Sequence, residues 1–387
     1  MEAVEDDPYL KLLRGHLDDR ELFDATPGQT EARHRQLLLP YLDFFLRHDR
    51  DHYYRRLFSR KGFTGPDGEL RDDLQVGDLA RLRIHSDDLR GDGQAARLVD
   101  GFEPDARRFM SSGTTSSPQG PIHVARSPVT FDLAARAIAG QMSWMVGPDF
   151  KWSMAMIQAA EEMKNSMALP SLAAASFDLN GAEVLMGARL RDDPDEPSLW
   201  RRIEPDPEAM GRFFSTPAPG RIWLATPAGL GALVTEQRHI DLGEDGVLMT
   251  GGGLKRLPQF TSMAELFEAV APLVRGRFAD VLGLTESTTV FGSRADQVGS
   301  PRFWVKCPHP LTYVGYFESP QKLELSRDID EPRLLFYVNF TCVDYLEAIV
   351  PGDIVRPQET PDYPQHGFVY ERRADDGEGF SIREGCG

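Results

Sequence analysis

The feature that most constrains the fold of this sequence is an alternation of short apolar runs with helix-like segments. Five runs bounded by turn residues have the character of strands, at 152–157, 222–225, 247–250, 280–282 and 334–338. Three segments have helical spacing, at 128–145, roughly 229–239 and 262–274, and the last begins with the capping-box pair Ser262 and Glu265. Such alternation predicts an α/β protein with a mixed or parallel sheet that helices cover on both faces.

The first hundred residues have a different pattern. Residues 30–60 mix apolar and charged positions at near-helical spacing, and Pro40 is placed to kink or split this segment. One predicted buried stripe contains Leu37, Leu38, Tyr41, Phe44, Phe45 and Tyr53. We therefore expect a helical N-terminal region, 1–100, that is part of the same module as a core at 101–370. Residues 61–100 read as short helices and loops, and the acidic, Pro-rich stretch 191–208 reads as a surface loop.

Charge and cysteine content narrow the class of protein. The chain has 387 residues, with 43 Lys and Arg against 60 Asp and Glu, which gives a net charge of −17. This balance argues against a general nucleic-acid binder but does not exclude an anionic ligand. No stretch approaches the roughly 18 apolar residues that a membrane helix needs, and the acidic start does not resemble a signal peptide. Three widely spaced cysteines indicate neither a disulfide framework nor a zinc site, so we expect a cytoplasmic protein without a membrane partner.

One stretch invites two interpretations. Residues 109–120, FMSSGTTSSPQG, place hydroxyls and glycines between an apolar doublet and a second apolar run. Such composition is common in surface turns, because Ser and Thr side chains compete for backbone hydrogen bonds. A loop of this kind held between two strands also provides N–H groups and hydroxyls that wrap a phosphate chain.

Four further motifs follow in order, at 250–256 (TGGGLKR), 282–287 (LGLTES), 351–357 (PGDIVRP) and 371–385 (ERRADDGEGFSIREG). Together with SGTTSSPQG at 112–120 they resemble the adenylate-forming superfamily, which includes acyl- and aryl-CoA synthetases, peptide-synthetase adenylation domains and luciferases. The resemblance covers about 109–385. Within the superfamily the chain looks most similar to the adenylating enzymes of phenazine-antibiotic biosynthesis and to bacterial acyl-protein synthetases. The resemblance implies the fold of the superfamily's N-terminal domain, with mixed sheets covered by helices.

The resemblance implies a role for each motif. The phosphates of ATP would lie in a cradle made by Ser112, Gly113, Thr114, Thr115 and Ser116. Thr285 and Glu286 would be the catalytic residues, with Glu286 as the ligand of Mg²⁺ and both near the α-phosphate. Adenine would lie flat against Gly251, Gly252 and Gly253, where a Cβ would obstruct it. Asp353 would accept hydrogen bonds from the ribose, and Arg373 would lie near the phosphates or the ribose.

Each of these motifs also has a structural interpretation. The phosphate loop and the glycine run are also compatible with turns, LTES with a helix N-cap after a strand, and Pro-Gly-Asp with a tight turn. Charged residues near 371–387 are usually solvated.

Two departures from the superfamily pattern matter. Gln119 stands where the phosphate loop usually has lysine, which removes a positive charge from it. The sequence stops within a hinge-like tail, 371–387, so the mobile C-terminal domain and its lysine are expected to be absent, unless Lys255 or Lys306 substitutes. A lysine at position 306 is more often a surface residue. Cys386 matches in position an acyl-accepting cysteine of the acyl-protein synthetases, although it is also compatible with an inert tail residue.

The acid pocket is expected between the 152–165 region and the loops after the strands. Its wall would contain Trp152, Met154, Met156, Met163 and Met167, unless these side chains are plain core. His123 and His239 have no partner at metal-ligand spacing and are interpreted as structural.

The sequence thus predicts an ATP- and Mg²⁺-dependent ligase that converts a carboxylic acid, with an aromatic acid favoured, into an acyl-adenylate for a biosynthetic pathway. The acyl acceptor would be a thiol, an amine or a partner protein. The alternatives are a catalytically impaired homologue that binds nucleotide or acid, an acyl-protein synthetase component that transfers an acyl group to a thiol, or a chance occurrence of glycine loops. The sequence does not predict the oligomeric state.

Overall fold

The computed structural model describes most of the chain. The described residues are 6–19, 21–89, 93–99, 106–110, 122–193, 195–196, 199–216, 218–252, Leu254, 257–284, 287–300, 302–319, Lys322, 324–326, 331–360 and 362–374. Within these ranges no helix has the length and apolar character required to cross a bilayer.

The α-helices are Pro8–Leu17, Pro27–Arg47, Tyr53–Lys61, Pro128–Val146, Ala168–Leu179, Leu199–Arg202, Pro207–Ser215, Pro227–Glu236 and Met263–Val270. Short 3₁₀ helices lie at Arg50–His52, Val76–Leu82, Ser86–Leu89, Ala95–Arg97, Glu161–Asn165 and Ala271–Leu273. The strands are β1 Ile84–His85, β2 Arg107–Met110, β3 His123–Arg126, β4 Met154–Ile157, β5 Glu183–Met186, β6 Ala188–Leu190, β7 Ile203–Pro205, β8 Arg221–Ala225 and β9 Ile240–Asp241. They continue with β10 Val247–Gly251, β11 Val274–Arg275, β12 Arg277–Gly283, β13 Val290–Gly292, β14 Thr312–Phe317, β15 Arg333–Asn339, β16 Ala348–Val350, β17 Asp353–Gln358 and β18 Gly367–Arg373.

The first sheet has six strands in the order β13-β12-β10-β8-β4-β5. All its neighbours pair in parallel except β13, which is antiparallel to β12. Successive side chains of a strand point to opposite faces, so Ile157 and Met156 enter different cores. On one face the helices Pro128–Val146 and Ala168–Leu179 pack, and on the other the three helices between 207 and 270. The predicted α/β fold with helices on both faces is confirmed.

The second sheet is built around β15, to which the run at 334–338 belongs. Strand β14 pairs antiparallel along one edge of β15, while β16 and β17 pair with different halves of its other edge. Strand β18 continues from β17, and β1 adds to β16 in parallel. Alternate side chains of β15 enter two cores, because Leu335 packs with the first sheet and Phe336 with the N-terminal helices.

The N-terminal helices cover the outer face of this second sheet. Helix Pro27–Arg47 begins with a capping box between Thr26 and Gln29 and continues through Pro40, so the helix is neither split nor ended there. The chain breaks instead at Arg50–His52, where Asp51 and His52 have positive φ values of 52° and 57°. The predicted stripe is buried except at its last member, because this break turns Tyr54 inward and leaves Tyr53 half-buried.

Three tyrosine hydroxyls join these helices to the segment between β15 and β16. Tyr9 donates to the carbonyl of Phe340, and Tyr41 donates to the carbonyl of Asn339. Tyr41 also accepts from the N–H of Glu347 at 3.2 Å, and Tyr54 accepts from the N–H of Leu346 at 3.1 Å. The N-terminal region is therefore hydrogen-bonded to residues that lie about 300 positions later.

Two local predictions need correction. The stretch 191–208 is not one loop, because it contains the helix Leu199–Arg202 and the strand β7, which pairs antiparallel with β6. The side chains of Arg189 on β6 and Glu204 on β7 also form an ion pair at 2.7 Å. Ser262 does cap the helix Met263–Val270, accepting from the N–H of Glu265 at 3.2 Å. The Glu265 carboxylate, however, accepts from the N–H of Thr261 at 2.7 Å instead of closing the box on Ser262.

Candidate active site

The carboxyl ends of the parallel strands of the first sheet lie at one edge, where the predicted glycine run begins. Strands β4, β8, β10 and β12 end at Ile157, Ala225, Gly251 and Gly283. The register places Gly251 opposite Val281, two residues before β12 ends. Ligands of open α/β sheets bind in the crevice outside these ends. Thr285 and Glu286 come two and three positions after Gly283, the last residue of β12, but they lie outside the described residues, as does Gly253.

Two of the predicted adenine-loop glycines are required by the backbone. A Cβ added to Gly251 would lie 2.7 Å from the carbonyl oxygen of Val281, closer than packing allows. Gly252 has a φ of +99°, which L side chains rarely adopt. The chain therefore leaves β10 close against β12, with bare backbone at the sheet edge.

Polar side chains that the motif analysis did not select lie at the same edge. Gln158 follows β4, and its Oε1 accepts from the N–H of Thr226 at 2.9 Å. The hydroxyl of Thr226, just after β8, accepts from the N–H of Gly229 at 3.1 Å and so caps the helix Pro227–Glu236. The signal in the sequence was a polar residue directly after each apolar run.

Asp353 and Arg373 form a pair across β17 and β18. They lie opposite each other in the register, and the guanidinium of Arg373 contacts Oδ1 of Asp353 in a charge-assisted hydrogen bond. Asp353 is 2% exposed. Its Oδ2 is buried and has no hydrogen-bond donor among the described residues. A buried carboxylate oxygen without a donor is uncommon, because leaving it unpaired is costly. The structure thus brings together two residues that the sequence placed in separate motifs.

The hydroxyl-rich stretch is held by a hairpin stem. Strands β2 and β3 pair antiparallel from Arg107 opposite Arg126 to Met110 opposite His123. The N–H of Met110 also donates to the carbonyl of Ser166 at 2.8 Å, which ties the stem to the segment after β4. The predicted phosphate cradle, Ser112 to Ser116, and Gln119 lie outside the described residues. The flanking residues on both sides form the paired strands β2 and β3, so the hydroxyl-rich stretch connects two strands, as its apolar neighbours in the sequence suggested.

A crevice of about 420 Å³ opens beside this stem. It is lined by Arg107, Phe131, Glu161, Glu162, Lys164, Asn165, Ser171, Ala174 and Ala175. The guanidinium of Arg107 lies 4.4 Å from the ring centre of Phe131 and donates to Ser171 at 3.4 Å. Lys164 pairs with Glu161 at 2.9 Å. The volume falls in the range of roughly 300–1,000 Å³ that small-molecule sites occupy.

A buried polar network holds Ser287 and Thr288, the first described residues after Thr285 and Glu286. Oε1 of Glu347 accepts from the Ser287 hydroxyl at 2.8 Å and from the N–H of Thr288 at 3.2 Å. The guanidinium of Arg126, at the end of β3, lies 3.7 Å from the other carboxylate oxygen. Glu347 and Arg126 are 0% and 2% exposed at the side chain. The pair therefore links the hairpin stem to the turn after β12.

The ionisation of this network is set by burial and by mutual attraction. Burial raises the pKa of Glu347, while Arg126 and the donated hydrogen bonds oppose that rise. Burial also raises the pKa of Asp344, which accepts from the N–H of Ser127 at 3.2 Å. For Arg126, burial favours the neutral form, but Tyr345, Cys342 and the two carboxyl groups outweigh it and raise the pKa. Arg126 is therefore held in its charged form beside the buried carboxyl group of Glu347. No sequence motif includes this pair, although a glutamate inside the largely apolar run 343–350 was a visible signal of a buried charge.

Lys306 is not the surface residue that its sequence context favours. Its side chain is 4% exposed and forms an ion pair with Asp280 in the middle of β12. Its backbone bonds to Phe368 of β18 in both directions, at 2.7 and 2.9 Å. The position is internal because it bridges the two sheets. Lys255, the other candidate for a substitute lysine, lies outside the described residues, as does Cys386.

The methionines do not form one wall. Met154 and Met156 are buried in the core on one face of the first sheet, whereas Met163 and Met167 are buried in the core on the other face. Trp152 is half-buried beside the latter. His123 and His239 are both exposed, and the described part of the chain contains no cluster of metal-ligating side chains.

Comparisons with known proteins give a structural likeness without a sequence match. No protein-family model and no curated protein matches the chain. Among solved structures, 2-hydroxyisobutyryl-CoA ligase in its postadenylation state is 14% identical, with a TM-score of 0.59, and covers 91% of this chain and 69% of its own. The same ligase in the thioesterification state is 16% identical, with a TM-score of 0.58 and coverages of 90% and 68%. An open conformation is 15% identical, with a TM-score of 0.57 and coverages of 89% and 70%. The chain therefore has the mixed α/β fold of the N-terminal domain of adenylate-forming enzymes, as the motif order predicted.

Proposed function

We propose that this protein activates a carboxylic acid with ATP, forming an acyl-adenylate and releasing pyrophosphate. The acid's carboxylate oxygen attacks the α-phosphorus, and the bond from that phosphorus to the bridging oxygen of the β-phosphate breaks. No proton needs to move in this step. The protein's task is to hold the reactants in line and to neutralise the phosphate charge.

The observation that carries the proposal is the buried carboxylate of Asp353. Its Oδ1 is occupied by Arg373, while Oδ2 has no donor among the described residues. A ribose hydroxyl supplies the missing donor, and an adjacent guanidinium suits the phosphates. The bare backbone of Gly251 and Gly252 at the sheet edge supports the same ligand, since it offers a flat surface for a purine.

The remaining roles rest on the motifs. The backbone N–H groups and hydroxyls of Ser112 to Ser116 would cradle the phosphates, on the hairpin stem described above. Thr285 and Glu286 would face the α-phosphate, with Glu286 as the ligand of Mg²⁺, which would neutralise phosphate charge when bound. The pair of Arg126 and Glu347 would hold both segments in place from behind, through Ser287 and Thr288.

For the acid, the crevice at the hairpin stem is the candidate site. Arg107 would attract a carboxylate, whereas Lys164 is already paired with Glu161, and Phe131 would pack against an aromatic ring. We thus still propose an aromatic acid, but we place its binding site at this crevice and not at the buried methionines. We expect Arg107→Gln to raise the KM for the acid about tenfold or more and to leave the KM for ATP unchanged. Arg108→Gln, the exposed neighbour on the same strand, is the matched control.

The acyl acceptor and the pathway are proposed at a coarser level. A structure of 2-hydroxyisobutyryl-CoA ligase in the thioesterification state contains 2-HIB-AMP and CoA. In that ligase the adenylate is thus bound together with a thiol, CoA. By analogy we propose a thiol, with an amine or a partner protein as alternatives. A cytoplasmic role in a biosynthetic pathway, including phenazine-antibiotic biosynthesis, remains a prediction from the sequence.

The test is acid-dependent exchange of labelled pyrophosphate into ATP, across panels of aromatic and aliphatic acids. Exchange that requires Mg²⁺ and one class of acid is the expected result. Exchange should fall at least about a hundredfold in Glu286→Gln and in Asp353→Asn. Arg373→Gln should weaken ATP binding, whereas Arg372→Gln on the same strand should not.

Other outcomes identify the alternatives. ATP binding without exchange for any acid would indicate a catalytically impaired homologue. Acyl label that stays on the protein and disappears in Cys386→Ala would indicate transfer to a thiol of the chain itself. Nucleotide binding that is absent, or unchanged in both Glu286→Gln and Asp353→Asn, would refute the proposal.

A further inference from the structure

A second crevice lies away from the carboxyl edge, between the N-terminal helices and the edge of the second sheet. Its volume is about 170 Å³, and its lining is Tyr53, Tyr54, Leu57, Arg60, Lys61, Arg81, Leu82, Arg83, Ile84, Arg97 and Leu346. Five of these eleven side chains are cationic, and no acidic residue lines the crevice within the described part of the chain. Such a cluster is unexpected in a chain of net charge −17.

Four of the five cations have no carboxylate partner among the described residues. Arg83 donates to the carbonyl of Ala80 at 3.1 Å and lies over the ring of Phe317. Arg97 donates to the carbonyls of Asp88 and Gly93, and its buried Nε finds no acceptor in the part of the chain that the structure describes. The side chains of Arg60 and Lys61 are exposed at the crevice. Arg81 alone has an ion pair, with Asp78 at 3.6 Å.

Local structure explains only part of this convergence. Arg60 and Lys61 lie in the last turn of the helix Tyr53–Lys61, where positive charge is favourable at the C-terminal end of the dipole. That account does not apply to Arg83 and Arg97, which come from other elements and are half-buried. Burial lowers the pKa of Arg83, so its charge is held there at a cost. An anion in the crevice would offset that cost at Arg83 and would give all four cations a charged partner.

We propose that this crevice is a binding site for a compact phosphate group, distinct from the ATP site proposed above. Its volume is below the roughly 300–1,000 Å³ of sites for drug-sized ligands, so the occupant is a phosphate or diphosphate, free or as the end of a larger molecule. Guanidinium groups bind phosphate oxygens in a bidentate manner, which suits three arginines from three elements. Tyr54 and Leu57 form the apolar wall.

The experiment measures binding of inorganic phosphate and of pyrophosphate to the full chain by calorimetry, in a chloride buffer of low ionic strength. Wild type should bind one equivalent of phosphate saturably, and Arg60→Gln/Lys61→Gln should bind it at least about tenfold more weakly. The matched control is Arg55→Gln/Arg56→Gln, which removes the same charge from the same helix outside the crevice. Glycerol phosphate as a third ligand separates a free anion from a phosphate monoester.

The outcomes separate this site from the proposed ATP site. Asp353→Asn should keep phosphate binding, whatever becomes of adenylation. An absence of saturable binding, or an equal loss in the control variant, would overturn the proposal. It would also be overturned by phosphate binding that is lost in Asp353→Asn and retained in Arg60→Gln/Lys61→Gln. A far-ultraviolet circular dichroism spectrum of each variant verifies that the helices are intact.

Discussion

The buried pair of Lys306 and Asp280 allows a sharp test of structural against catalytic use of a lysine. The Lys306 side chain is 4% exposed and that of Asp280 is 13% exposed, and the contact joins β12 to the segment that pairs with β18. We predict that Lys306→Met lowers the free energy of unfolding by about 3–5 kcal/mol, because it leaves the carboxylate buried without its counter-charge. A domain of ordinary stability has only about 5–15 kcal/mol in total.

Three further variants complete the cycle. Asp280→Leu should cost a similar amount, and Lys306→Met/Asp280→Leu should cost much less than the sum of the two, since an apolar pair of similar volume leaves no unpaired charge. Lys322→Met is the matched control, because Lys322 pairs with Glu318 at 2.6 Å on the surface, where an ion pair contributes about 1 kcal/mol or less. Urea unfolding followed by circular dichroism gives the free energies.

The same variants decide whether Lys306 is a catalytic lysine. Pyrophosphate exchange is measured at a urea concentration well below the unfolding midpoint. In Lys306→Met/Asp280→Leu its rate should stay within a few-fold of the wild-type rate. A stable Lys306→Met that has lost exchange a hundredfold would refute the structural interpretation and make Lys306 a catalytic residue. A cost below about 1 kcal/mol for Lys306→Met would refute the electrostatic reasoning itself.

Three other predictions follow from described contacts. Gly251→Ala should lower the free energy of unfolding by about 1–3 kcal/mol, because its Cβ would lie 2.7 Å from the carbonyl oxygen of Val281. Gly211→Ala is the control, because its Cβ would meet nothing within 4 Å, and it should be neutral or stabilising. Urea unfolding measures both. Burial, reinforced by nearby His34, lowers the pKa of His309 to about 3 from 6.5, so the unfolded chain takes up a proton first and stability falls as the pH drops below 6.5. At pH 4.5 this histidine alone costs about 3 kcal/mol, and His309→Asn should show a correspondingly smaller loss between pH 7 and pH 4.5. Glu347→Gln should reduce pyrophosphate exchange through displacement of the turn at Ser287, with a matched loss of stability, while Glu318→Gln on the surface should change neither.

The order of strands and helices in the core was predictable because each element carries its own periodicity. Strands β4, β8, β10, β12 and β15 were all anticipated within three residues at each end. Their division into two sheets was not, because the apolar run at 334–338 does not encode its partner strands. Pro40 illustrates a second limit, since tertiary burial of Leu37, Tyr41 and Phe44 outweighs the lost hydrogen bond of an internal proline.

The site divides in the same way. Motif order predicted one nucleotide site for Gly251, Gly252, Asp353 and Arg373, and of these the structure joins Asp353 to Arg373 by a hydrogen bond. The shared site itself stays a prediction. Thr285, Glu286, Gly253 and Ser112 to Ser116 lie outside the described residues and stay predictions. The partners of Arg126, Glu347 and Lys306 could not be assigned from the sequence, because a buried ion pair depends on two residues that meet only in the folded chain.

The tyrosine hydroxyl bonds of the N-terminal helices have a consequence for synthesis of the chain. Tyr54 is synthesised 292 positions before Leu346, from whose N–H it accepts a hydrogen bond. Tyr9 is synthesised 331 positions before Phe340, to whose carbonyl it donates. At about 5–20 residues per second, the N-terminal helices wait on the order of 15–60 s before their partner sheet leaves the ribosome. During that interval their apolar stripe has no native surface to cover, so it is exposed to aggregation in the nascent chain and no longer in the finished protein.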